Sequence, residues 1–140
     1  MRTVVVDLLC PVRDVGVALR GGRAMLRLGM DRLGRGIDEA EIDRQYPLLL
    51  AAYEGAIDTH TRFYPGAMAA VEGLRDAGYR VAICTNKPEA LARLLLGRMG
   101  VLDRFHALTG ADTLTVRKPH PEHLHETVRR AGGDVTRALL

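Results

Sequence analysis

The sequence predicts an α/β fold in which the strands of a parallel sheet alternate with helices and a helical insert follows the first strand. Three observations carry this. Short β-favouring runs at residues 3–6, 80–84 and 105–109 each stop at polar or glycine residues. Helical spacing follows, with Leu91, Leu94, Leu95 and Met99 behind the second run and Leu124, Val128 and Ala131 behind the third. Two further helical patterns lie between the first run and Tyr64, more than a strand-to-strand crossover requires, so they form an insert.

Taken in order, the β-branched run from Thr3 to Val6 is a buried strand ending at Asp7, which places a carboxylate at its carboxyl end. Residues 8–16 have no clear period and contain Pro11, so they read as loop. From Gly22, Leu26, Met30 and Leu33 share one helical face and Arg23, Arg27 and Asp31 another, and Gly34 and Gly36 close this amphipathic helix. Asp38 with Glu41 resembles a capping box opening a second helix through Ile42, Leu49, Leu50 and Tyr53, which Pro47 should kink or divide. Tyr64-Pro65-Gly66 is a turn signal and marks a seam, giving an α/β core of residues 1–7 and 65–140 and a helical insert of residues 8–64. Residues 67–77 are helical, with Met68, Val71 and Leu74 on one side and Gly78 as C-cap. The second strand then leads through Thr85 and Asn86 into a helix with Pro88 in its first turn, capped by Gly100. After a third short strand comes a polar loop at 112–121, a helix closed by Gly132 and Gly133, and the opening of a fourth strand at 137–140.

With 140 residues, 47% of them hydrophobic and 26% charged, the chain has room for one globular domain plus an insert. The net charge of +3 comes from scattered arginines, and aromatic residues make up 4%, so nucleic acid is not an expected partner. The contrary reading, a basic module built on Arg13, Arg20, Arg23, Arg27, Arg32 and Arg35, would show binding that weakens steeply with salt. Asp7 interrupts the apolar start, which is too short to span a bilayer, and no membrane partner is expected. Cys10 and Cys84 match no metal or redox spacing and read as reduced thiols of a cytoplasmic protein.

In a parallel α/β sheet, the turns at the carboxyl ends of strands expose hydroxyls and N–H groups that can hold an anion, which makes Thr85 a phosphate-site candidate. Its plainer reading is a residue that turns the chain and caps the helix. Asp7, Thr85 and Lys118 together suggest phosphate chemistry. A carboxylate can attack phosphorus, a hydroxyl can hold a phosphoryl oxygen, and an ammonium can neutralise developing charge. His120, His123 and His125 look like a metal cluster, but 123 and 125 face different sides of a helix, so a solvated helix start is the expected reading. Arg20, beside Gly21 and Gly22, could meet a substrate carboxylate, though it reads first as a surface arginine.

These residues resemble the haloacid dehalogenase-like hydrolase superfamily, and within it the phosphoglycolate phosphatase branch with its helical cap. The match runs from about Leu19 to Leu140. It is carried by FYPGAMAAVEGLRDAGYRVAICTNKP and RKPHPE, together with Asp7, Thr85-Asn86-Lys87 and Lys118-Pro119. The resemblance implies a Rossmann-like sheet and a small phosphorylated metabolite as substrate. It also implies Mg2+, with Asp7 as metal ligand and as the nucleophile that forms a phosphoaspartate. Thr85 and Asn86 would bind the phosphoryl group, and Lys118 would anchor Asp7 and the phosphate. The family's first motif is D-x-D-G-T, whereas this chain reads Asp7-Leu8-Leu9-Cys10-Pro11, and Leu9 cannot donate a proton. The family's fourth motif lies beyond its fourth strand, which here begins at the last residues. An incomplete core and metal site, weak or absent turnover, and a first strand exposed to self-association are therefore expected, with a non-catalytic binding module of the same fold as the alternative.

Overall fold

A computed structural model describes residues 2–6 and 21–139. Asp7, Cys10 and Arg20 lie outside the described residues. The chain divides into two compact units, Met1–Leu9 with Thr61–Leu140 and Cys10–His60.

The first unit contains a four-stranded sheet of β1 (Thr3–Val6), β2 (Arg80–Cys84), β3 (Ala107–Thr109) and β4 (Ala138–Leu139) in the order β3-β2-β1-β4. Every pairing is parallel. β1 runs in register with β2 from Thr3 opposite Arg80 to Val6 opposite Ile83, while β4 pairs only with Thr3 and Val4. The chain steps outward from β1 to β3 and then returns to the other side of β1, so the order reverses beside that strand. Crevices at the carboxyl ends next to such a reversal are where open α/β sheets hold ligands.

Side chains alternate across β2, as a strand with a period of two requires. Val81 and Ile83 enter a core with Val71, Ala92, Leu96, Phe105 and Leu108, roofed by helices α3 (Ala67–Asp76) and α4 (Glu89–Arg98). Cys84 faces the opposite layer, where Val128 of α5 (Pro121–Arg130) packs with Leu124, Val135 and Ala138. Full burial of one such aliphatic side chain contributes about 1.5–3 kcal/mol, so both faces of β2 contribute to stability. α3 and α4 end as the sequence predicts. Gly78 (φ 82°) and Gly100 (φ 70°) adopt the left-handed conformation, and N–H groups of Tyr79 and Val101 reach back to the carbonyls of Leu74 and Leu96.

The second unit holds α1 (Gly22–Arg32) and α2 (Glu39–Gly55). Arg27 grips Glu39 with two bonds of 2.7 Å, Arg23 pairs with Asp43, and the Arg23 guanidinium lies 4.6 Å from the centre of the Tyr46 ring. These side chains bind α1 to α2, so Arg23 and Arg27, among the arginines that suggested a nucleic-acid surface, are engaged within the protein. Four local expectations change. Leu33 follows α1 and is exposed, because the helix ends at Arg32. Asp38 does cap α2, but it accepts from Ala40, and Glu41 binds Arg44 and Gln45 instead of closing a reciprocal box. Pro47 does not divide α2, which runs through it unbroken to Gly55. The helix at α4 begins at Glu89, with Pro88 at the N-cap.

Candidate active site

Thr85 and Asn86 leave the carboxyl end of β2 and turn the chain into α4. The Thr85 N–H donates to the Thr109 carbonyl at 3.0 Å, which holds the turn to the end of β3. Its hydroxyl oxygen accepts the Lys87 N–H at 3.2 Å, leaving the hydroxyl proton as its donor. Turn-making and anion-holding are therefore compatible in this one residue, which is 5% exposed.

Lys118 sits in the loop between β3 and α5, where its peptide bond to Pro119 is cis. The Asn86 side-chain amide donates to the Lys118 carbonyl at 3.2 Å. That bond brings the Thr85-Asn86 turn and the Lys118 loop together, as a shared site requires. The sequence alone offered no way to see this pairing, since it joins an amide to a backbone carbonyl 32 positions away.

The start of α4 differs from the expectation that its N–H groups are available to an anion. Asp112, from the loop after β3, accepts the Glu89 N–H at 2.7 Å and caps the helix from outside. Thr113 donates to Glu89 Oε2 at 2.5 Å and accepts the Gly110 N–H at 2.7 Å, while the Ala111 N–H reaches the Lys87 carbonyl at 2.9 Å. Burial opposes the charge on Glu89, but the Thr113 hydroxyl, Arg93 and Arg130 outweigh it and hold the carboxyl below its ordinary value. Gly110 makes this docking possible. A Cβ there would lie 2.7 Å from the Lys87 carbonyl oxygen and closer still to the backbone of Glu89.

The histidines do not share one environment. His120 caps α5 by accepting the Glu122 N–H at 3.2 Å, and His125 lies 3.6 Å from Glu122. His123 is fully buried, which corrects its reading as part of a solvated helix start. Its Nε2 lies 2.8 Å from the Gly110 carbonyl and its Nδ1 3.6 Å from Cys84 Sγ. The signal was present in the spacing, because His123, Thr127 and Ala131 recur every four residues and all three are buried.

Among the described residues, no group of three His, Cys, Asp or Glu side chains could hold a metal ion. Asp112 and Glu89, the carboxylates beside the site loops, are already engaged by a helix N–H, a hydroxyl and two arginines. The described residues alone do not provide a Mg2+ site, and Asp7, the ligand the resemblance implies, lies outside them. No helix among the described residues is long and apolar enough to cross a membrane.

A family model for haloacid dehalogenase-like hydrolases matches residues 10–140, a stretch that begins after Asp7. The chain is 44% identical over 120 residues to a phosphoglycolate phosphatase of Mesorhizobium japonicum, covering 86% of this chain and 53% of that protein. It is 36% identical to the phosphoglycolate phosphatase of Agrobacterium fabrum, covering 86% of this chain and 52% of the relative. The chain thus spans about half the length of these curated relatives. Its fold is similar to the crystal structure of a predicted phosphoglycolate phosphatase from Haemophilus somnus (TM-score 0.77, 17% identity, 99% of this chain and 74% of that one). It is also similar to that of a putative β-phosphoglucomutase from Thermotoga maritima (TM-score 0.69, 16% identity, 99% and 74%). With its parallel sheet, its interleaved helices and this match over nearly its whole length, the chain belongs to the haloacid dehalogenase-like hydrolase family.

Proposed function

We propose that this chain is a phosphate-monoester hydrolase of the phosphoglycolate phosphatase type, acting on a small phosphorylated metabolite and turning over slowly. The observation that supports this reading best is the Asn86 to Lys118 hydrogen bond, which joins the two loops whose side chains suit a phosphoryl group. The names of the curated relatives support the substrate class. In the proposed reaction an Asp7 carboxylate oxygen attacks phosphorus, forming the aspartyl O–P bond as the ester P–O bond breaks. The departing alkoxide takes a proton from water, because Leu9 stands where the family's second aspartate would supply one. Water then attacks the phosphoaspartate, releasing inorganic phosphate and restoring the carboxylate. Thr85 donates its hydroxyl proton to a phosphoryl oxygen, the Lys118 ammonium neutralises charge, and Asn86 holds the two loops together. We assign the helical unit the part of a cap, with Arg20 as its contact to a substrate carboxylate. Mg2+, with Asp7 as a ligand, is the cofactor that the family resemblance implies.

A second reading, a module that binds phosphate without turnover, is favoured by Leu9 and by a family match that begins only at Cys10. Release of inorganic phosphate from 2-phosphoglycolate in the presence of Mg2+ separates the two. Loss of a general acid costs about 10²–10⁴-fold, so slow release is expected, far below the roughly 1–10³ per second of ordinary enzymes. Asp7→Asn should abolish it, since an amide does not attack phosphorus as a carboxylate does. Ordinary turnover refutes the slow-enzyme reading, unchanged release in Asp7→Asn removes Asp7 from the mechanism, and no release with retained phosphate binding selects the second reading.

A further inference from the structure

We propose that His123 is a positioning residue that sets the distance between the Thr85-Asn86 turn and the Lys118 loop. Three segments meet at its ring. Cys84, the last residue of β2, immediately precedes Thr85, and its thiol lies 3.6 Å from Nδ1. Gly110 follows β3, and its carbonyl lies 2.8 Å from Nε2. His123 itself belongs to the first turn of α5, directly after the loop that carries Lys118. The imidazole is fully buried, as is Cys84, so neither contact is exchanged for water.

The chemistry of the partners fixes the ring. A carbonyl only accepts, so Nε2 carries a proton and donates to Gly110. With Nε2 as the donor, Nδ1 of the same tautomer is an acceptor and faces the Cys84 thiol at 3.6 Å. The neighbouring polar contacts continue the tie. Thr127 donates to the His123 carbonyl at 2.8 Å and meets Thr109 at 2.5 Å, so α5 is attached at two levels to the end of β3. Gly110 is also the residue whose missing side chain lets its loop lie against the start of α4. Movement of the ring therefore moves both loops. The Asn86 to Lys118 bond ties them directly, and His123 ties them through Cys84 and Gly110.

The functional consequence rests on the proposed reading of Thr85, Asn86 and Lys118 as an anion site, but the first test does not. NMR of the full chain with labelled imidazole nitrogens should find a proton on Nε2; a ring that carries its proton on Nδ1 alone overturns the proposal. His123→Leu should shift the backbone amides of Thr85, Asn86 and Lys118. It should also weaken binding of inorganic phosphate about tenfold, the low end of what losing an orienting partner costs at metal sites, while His123→Gln, which keeps an N–H for Gly110, stays within about twofold. Unmoved amides in a folded His123→Leu variant overturn it. If that variant does not fold, Cys84→Ala decides, and unchanged Thr85 and Asn86 amides count against the proposal. Amide shifts as expected in a chain that binds no phosphate would keep the positioning role and remove the anion-site reading. Phosphate binding with unmoved amides would do the reverse.

Discussion

Replacing Gly110 with alanine puts a methyl group between two backbone segments that carry the site loops. The new Cβ would lie 2.7 Å from the Lys87 carbonyl oxygen, where ordinary contact begins at 3.4 Å, so this neighbour must retreat by about 0.7 Å and the Glu89 backbone by more. None of these atoms belongs to a flexible side chain. Separation stretches the bonds that dock the loop, Ala111 N–H to Lys87, Glu89 N–H to Asp112 and Thr113 to Glu89. Overpacking costs about 1–3 kcal/mol, and loss of a hydrogen bond to a charged group about 1.5–3 kcal/mol, so a destabilisation of about 3 kcal/mol is expected. For a domain of this size that lowers the melting temperature by about 10 °C. The control is Gly73→Ala. Gly73 is an exposed residue inside α3 with nothing within 4 Å of its would-be Cβ, and there alanine should stabilise by about 0.5–1 kcal/mol. Thermal melts followed by circular dichroism compare the two. A Gly110→Ala variant melting within about 2 °C of the wild type would refute the steric argument.

Two further outcomes follow from named contacts. Glu89 has a carboxyl held below its ordinary value of 4.5, so its stabilising contribution is full at neutral pH, fades as pH falls through that value and is lost below the lowered folded value. Glu89→Gln should therefore flatten the pH dependence of urea denaturation between roughly pH 5 and pH 3, and an unchanged slope counts against the Thr113 and arginine contacts. Lys118→Ala should abolish phosphate binding measured by calorimetry, whereas Asn86→Ala, which loosens only the link between the loops, should weaken it about tenfold; equal effects would remove the division of roles.

The parts of the fold set by local rules were legible in the sequence. β-branched runs, helical periods and closing glycines located all four strands and the helices α1 to α5, because each signal arises within a few residues of the element it marks. Leu33 was misread because periodicity continues one residue past the end of α1, and Glu41 because an arginine and a glutamine one turn ahead compete for its carboxylate. The site was legible as residue types and not as contacts. Thr85, Asn86 and Lys118 stood out by motif, yet what joins them, a side-chain amide on a carbonyl and a buried imidazole across two strand ends, depends on tertiary register. His123 was hidden by its neighbours. Two other histidines beside it suggested one shared environment, while the four-residue spacing to Thr127 and Ala131 pointed inward.

The way α4 begins constrains the anion site proposed for this chain. Where a helix N-terminus is free, its N–H groups and the partial positive charge of the helix dipole hold a phosphate with little help from side chains. Here that end already carries two carboxylates, Asp112 on the Glu89 N–H and Glu89 itself in the first turn, and both oppose a second anion on the helix axis. The Lys87 N–H is likewise taken by Thr85. In the proposed site, attraction for a phosphoryl group would then come from side chains, the Lys118 ammonium and the Thr85 hydroxyl proton. A site of that kind depends on how accurately two separate loops are held against each other, since neither loop alone supplies both groups. On the proposed reading, that dependence gives the ties between the loops, the Asn86 bond and the His123 ring, a part in holding the anion site.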